Sequence, residues 1–208
     1  MVGRILTEAK ARGVLIDPPR AGTPQVRRAV PPRAYACRKP AAYQAHQPGD
    51  LVEVDTLDLR PVPGVVLKHF TARDVISRWD VLEAHTRATS HTAAHFLTTL
   101  QTRFPRPIKA IQVDGGSEFA AAFEAACQAR GIQLFVLPPR SPQLNGAVER
   151  AHRTHLEEFY DVVPFALDLP TLNRQLRQWE HIYNTQRPHQ ALAYRTPDDV
   201  IHNRPLTP

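Results

Sequence analysis

Cysteine is almost absent from this 208-residue chain: Cys37 and Cys127 are the only two, 90 positions apart. Without a CxxC pair, the sequence argues against a disulfide framework or a cysteine-built zinc module and fits a reducing cytosol. Long apolar runs are missing too. No stretch approaches the about 18 apolar residues of a membrane-spanning helix. The opening "MVGRILTEAKARG" has polar residues every few positions and lacks the apolar centre of a secretion signal. Acidic residues are scarce in one place: residues 1–49 hold two of the 20 Asp/Glu but nine of the 26 Lys/Arg. The rest of the chain is near neutral. Such a basic arm suits a phosphate backbone, and it equally suits a solvated tail.

What remains is ordinary for a globular chain, with 42% hydrophobic and 22% charged residues, enough for a real core at this length. Twenty prolines are the exception, and they gather in loops and near the N-terminus. Residues 2–16 suit a short helix, a glycine stop and a short strand, and residues 17–49 read as an extended linker. From Asp50 the pattern changes. Alternating or apolar runs at 51–59, 65–75 and 78–86 predict three strands close enough to be antiparallel neighbours. Ala93, Phe96, Leu97 and Leu100 at helical spacing predict a helix over 89–104, capped by Thr89 or Ser90. A strand over 108–114, a helix over 117–131 stopped by Gly131 and a strand over 132–138 follow. Two further helices are expected at 142–161 and 170–185. This order argues for an α/β fold with a mixed sheet flanked by helices.

Within that frame "IQVDGGSEF" (111–119) ends an apolar run on a carboxylate, adds two glycines and then a second carboxylate. Three acids sit where such a fold brings segments together: Asp55 in the first strand, Asp114 at the end of the fourth, and Glu149 one turn into a helix. Phosphoryl transfer assisted by two divalent cations needs carboxylates converging from different elements, and Mg²⁺ prefers such oxygen ligands. Taken singly, each acid also fits a blander role. Asp55 suits a surface acid on a strand, Asp114 a turn former, and Glu149 a charge on a helix face.

Together, "VEVDTLDL", "IQVDGGSEF" and "PPRSPQLNGAVERAHRT" resemble the three acidic signatures of integrase-core DDE transposases of bacterial insertion sequences, whose core retroviral integrases share. The third is the most specific. Asp114 and Glu149 have 34 residues between them, near the family's usual interval, and "YNTQRPHQAL" with "RTPDDV" resembles the family's tail. The resemblance covers about residues 50–200. It implies an RNase H-like, five-stranded mixed sheet with extra C-terminal helices. It divides the chain into a basic arm (1–49), a catalytic core (50–161) and a C-terminal helical extension (162–208).

It also implies that Asp55, Asp114 and Glu149 bind Mg²⁺, with Mn²⁺ as a substitute and two ions once DNA is bound. The implied reaction cuts a DNA strand and then uses the 3′-hydroxyl to attack target DNA. Element ends and target DNA, together with at least a dimer of the chain, are the implied partners. Neither a membrane nor a small-molecule substrate is expected. The implied location is the bacterial cytoplasm, near the nucleoid.

Arg140, Asn145, Arg150 and Arg153, with Arg27 and Arg28 of the arm, are the candidate DNA contacts. Asn145 also suits a helix cap, and 138–142 suits a mobile loop over the site. Glu118 is expected to open a helix, where its charge complements the dipole, with a metal or water contact as the alternative. Arg187, Pro188 and His189 read as packing the tail helix on the core. His91 and His95 have the i, i+4 spacing that can hold zinc on a helix, but no third ligand is evident nearby in sequence.

A transposase of this type usually opens with helix-turn-helix modules. "VGRILTEAKARGVL" resembles only the end of one, which implies an N-terminally truncated chain. The competing expectation is a truncated, non-catalytic regulator that occupies DNA or poisons full-length multimers.

Overall fold

The computed structural model describes residues 33, 35–138 and 144–204. The helix predicted at 2–16, the early linker with Arg27 and Arg28, and the loop with Arg140 lie outside the described residues. Five strands form: β1 (Val52–Leu59), β2 (Leu67–Asp74), β3 (Asp80–His85), β4 (Ala110–Val113) and β5 (Gln133–Val136). Their spatial order is β3-β2-β1-β4-β5. β1, β2 and β3 pair antiparallel, while β4 and β5 continue the sheet from β1 in parallel. This is the five-stranded mixed sheet of the RNase H-like fold.

The helices are α1 (Ser90–Arg103), α2 (Ala122–Ala129), α3 (Gly146–His155), α4 (Leu169–Thr185) and α5 (Pro197–Ile201). One sheet face, with Val52, Val54, Phe70 and Val81, packs on the Ala93, Phe96, Leu97 and Leu100 stripe of α1 and on Phe123 and Cys127 of α2. The stripe recurs because residues three and four apart share a helix face. Thr89 caps α1, accepting from Thr92 N at 3.2 Å.

The other face is half apolar and half polar. Leu59, Leu67, Leu82 and Ala84 meet Leu172 and Leu176 of α4. Beside them Arg73 of β2 forks onto Asp80, with Nε to Oδ1 at 2.7 Å and Nη2 to Oδ2 at 2.6 Å. Burial raises the Asp80 carboxyl, but the Arg73 guanidinium outweighs it and holds the group down at about 2. Arg73 also donates to the Tyr183 hydroxyl. His155 accepts at Nδ1 from Trp179 Nε1 (3.0 Å), so its proton sits on Nε2, 3.1 Å from Asp80 Oδ2. Burial keeps this imidazole neutral. Breaking such a buried pair from one side costs about 3–5 kcal/mol, because the other charge is stranded.

Both sheet edges are covered. Along β3, Asn184 of α4 accepts from Asp80 N and donates to Asp80 O, Glu180 accepts from Leu82 N, and Asn173 does for Ala84 what Asn184 does for Asp80. One polar helix face thus satisfies alternate backbone groups of an edge strand, which blocks pairing with another chain. Along β5, Cys37 N donates to Leu134 O (3.0 Å) and Cys37 O accepts from Val136 N (2.9 Å). Tyr35 N and Ala36 N donate to Glu124 Oε1 of α2. The segment expected as linker is extended here, but it is docked.

Two predicted helices are interrupted. The one expected over 117–131 is a 3₁₀ turn (Ser117–Phe119), a break at Ala121 with φ 43°, and then α2. The break sends Phe119 into the core, fully buried. The helix expected over 142–161 is α3, starting at Gly146 and running into a π-helical turn, Leu156–Tyr160. No described helix is long and apolar enough to cross a membrane.

Candidate active site

β1 and β4 lie side by side, with Val54 opposite Val113, so the next residues, Asp55 and Asp114, stand at the same level of neighbouring strands. β4 ends there, while β1 continues because its other edge still pairs with β2, Asp55 opposite Thr71. Both Asp55 oxygens are engaged: Oδ1 accepts from Thr56 N at 2.8 Å and Oδ2 from Asn145 Nδ2 at 3.3 Å. Asp114 is exposed, and its Oδ1 accepts from Gly116 N at 2.8 Å. The turn-forming role weighed for Asp114 therefore exists, and it fixes the carboxylate without burying it.

Glu118 was expected at a helix start, with a metal or water contact as the alternative. It sits instead in the 3₁₀ turn, and its Oε1 accepts from the Thr56 hydroxyl at 3.0 Å, directly after Asp55. Gly116 explains how it gets there. A Cβ on Gly116 would lie 2.7 Å from Glu118 Oε2 and 2.9 Å from Asp114 Oδ1, so the glycine leaves room for two carboxylates. Its φ of −56° suits any residue, so close approach is the reason for glycine here. At Gly115 a Cβ would meet nothing within 4 Å, which leaves the approach to Asp114 open.

Glu149 arrives on α3, whose start is tied to the sheet three times. Gln112 of β4 donates to Leu144 O at 2.7 Å, Asn145 reaches Asp55, and Glu53 Oε2 accepts from Ala147 N and Val148 N at 3.1 and 3.0 Å. Glu53 therefore satisfies the free amides that an N-cap side chain would otherwise take. Asn145 corrects the expectation of a cap. It is only 4% exposed, makes no capping bond, and turns its amide into the acidic cluster.

Glu149 itself is exposed, beside His152, Arg153 and Leu156. Among the described residues, the one trio of potential ligands whose atoms all fall within 4.8 Å of one another is Glu83, His85 and His95, not the acidic triad. The fold brings Asp55, Asp114 and Glu118 to one place, with Glu149 at its rim.

The electrostatics report the same crowding. Burial first, then the charges of Asp114, Glu118 and Glu149, push the Asp55 carboxyl up to about 7. Three acidic neighbours acting on Asp55, with no basic side chain bonded to Asp55 or Asp114 among the described residues, form a site that a divalent cation would relieve. The donors are all oxygens, as hard Mg²⁺ or Mn²⁺ requires, so the residues present fit the implied metal.

Cations stand nearby. Arg150 lines a groove of about 840 Å³ with Arg73, Arg78, Arg187, Glu53 and His189. Arg153 is exposed and 3.8 Å from Glu157. Arg187 pairs with Glu158 (Nε to Oε2, 2.7 Å) over the Tyr183 ring, and His189 meets that ring edge-on at 4.8 Å. These two tail residues pack α4 and its following loop.

Two models described as an integrase core domain match the chain, one over residues 45–142 and the other over 130–197. The ORF3 product of Spiroplasma virus SpV1-C74, named as an integrase, is 28% identical over 112 residues, 48% of this chain. The chain spans 31% of that relative's length. Among solved structures, the catalytic core domain of BIV integrase aligns with a TM-score of 0.58 and 21% identity, over 74% of this chain and 95% of that one. A chain of the simian T-cell lymphotropic virus intasome, solved with a PP2A regulatory subunit, aligns with a TM-score of 0.65 and 20% identity, over 85% and 60%. At these identities the likeness is one of fold.

Proposed function

This chain belongs to the integrase-core family, and on that premise we propose that it is a metal-dependent DDE strand transferase acting on DNA. The carrying observation is that Asp55, partway along β1, and Asp114, just past the end of β4, stand at the same level of neighbouring strands, with Glu118 held beside them by the Thr56 hydroxyl. Asp55, Asp114 and Glu149 form the acidic triad, and Glu118 adds a fourth carboxylate. Divalent cations held there would supply charge to activate a nucleophile and stabilise the leaving oxygen.

The chain's own residues arrange that centre. Asn145 and the Thr56 amide hold the two oxygens of Asp55, the Thr56 hydroxyl orients Glu118, and Glu53 fixes the helix that carries Glu149. A DNA strand would approach Asp114 past Gly115, where a Cβ would meet nothing within 4 Å, and Arg150 and Arg153 on the Glu149 helix would meet its phosphates. Water would attack one phosphodiester and release a 3′-hydroxyl. That hydroxyl would then attack a second phosphodiester and expel a new 3′-oxygen, with no covalent protein intermediate. Two DNA ends handled together would call for at least a dimer. The site of action is the DNA of a bacterial cytoplasm.

The exposed Glu149, outside any tight trio, favours a second reading: a protein that binds DNA without cutting it. Asp114→Asn separates the two. With labelled DNA ends and Mn²⁺, the wild type should give strand-transfer products and the variant at least about a hundredfold less, with DNA binding retained. Equal product from both would sink the enzyme reading. No product from either, with binding intact, would favour the second.

A further inference from the structure

We propose a zinc site formed by Glu83, His85 and His95, separate from the acidic centre. Glu83 and His85 are two residues apart on β3, so both side chains leave the same face of the strand. That is the face on which α1 packs, and α1 carries His95. One ligand atom from each of the three residues lies within 4.8 Å of the other two.

The pair on β3 is informative. Glu83 Oε2 and His85 Nε2 are 3.6 Å apart, both enclosed, and neither has a hydrogen-bond partner within 3.5 Å among the described residues. That separation is too long for a hydrogen bond. It is close to the about 3.4 Å between two ligands of a tetrahedral zinc with bonds near 2.1 Å. His95 completes the set from the solvent side, its ring 6.1 Å and edge-on from His85, and its exposure leaves a fourth position to water.

Two imidazoles and one carboxylate select zinc over Mg²⁺, so the site differs in chemistry from the oxygen-only centre. Bound there, zinc would tie the end of edge strand β3 to α1 across the turn at 86–89. His91, at helical spacing from His95, is not part of the trio.

The test uses the full chain, stripped with chelator and titrated with ZnCl₂ under saturating Mg²⁺. Calorimetry should show one equivalent of zinc with a raised melting temperature. His85→Ala and His95→Ala should each weaken binding by at least about tenfold, while His91→Ala and Asp114→Asn leave it unchanged. Co²⁺ on the wild type gives a readout independent of any variant's folding: a strong tetrahedral visible band is expected. Zinc binding that survives both His85→Ala and His95→Ala, or is lost in His91→Ala, overturns the proposal. So does a weak, octahedral Co²⁺ spectrum.

Discussion

Asp55 shows what one residue is made to tolerate for a site. Its carboxyl is raised by burial and by three acidic neighbours to about 7, so the folded chain holds a proton that the unfolded chain has already released. Stability contributed by this group therefore falls as pH rises from about 4 through 7. Asp55→Asn should be more stable than the wild type at pH 8 in chelator, by about 1–3 kcal/mol after allowing for partial exposure, and equal to it near pH 4. Urea titrations at the two pH values check this, and a variant no more stable at pH 8 would remove the strain from the account. That Asp55 lies on one strand of the sheet and Asp114 at the end of another was legible in the sequence, because the periodic runs that carry them read as strands. The place of Glu149 in a triad came from the resemblance and belongs to the proposal. The contacts of Glu118 and Asn145 were not legible. A Glu at a helix start and an Asn before a helix carry the same local signal whether they serve their own backbone or reach across the fold. Only the contacts with Thr56 and Asp55 decide.

At the scale of elements, α3 is held at its first turn by a strand rather than by its own cap. Glu53 is the main tie, since its carboxylate takes two backbone amides of that turn. Glu53→Ala should cost about 1–3 kcal/mol by leaving those amides unpaired. It should also speed hydrogen exchange at Ala147 and Val148 while the exchange of β4 is unchanged. Uniform loss of protection through the sheet would show that Glu53 supports the core generally. The strands and the apolar stripe of α1 could be read from periodicity, because burial enforces it. The break at Ala121 could not, since nothing about an alanine signals φ of 43°. A helix is predicted here from the sequence, with no role assigned to its polar face. In the fold, Asn173, Glu180 and Asn184 of that face cover the edge of β3.

Across the whole molecule, the sheet changes character at β1, antiparallel on one side and parallel on the other. At that boundary Asp114 follows the end of β4 and Asp55 stands beside it partway along β1. The account is tested most directly by anomalous scattering from crystals of the full chain soaked in Mn²⁺. It predicts a peak within about 2.5 Å of carboxylate oxygens of both Asp55 and Asp114, with Glu118 or Glu149 beside it. A map with no peak there and the two aspartates splayed apart would contradict it.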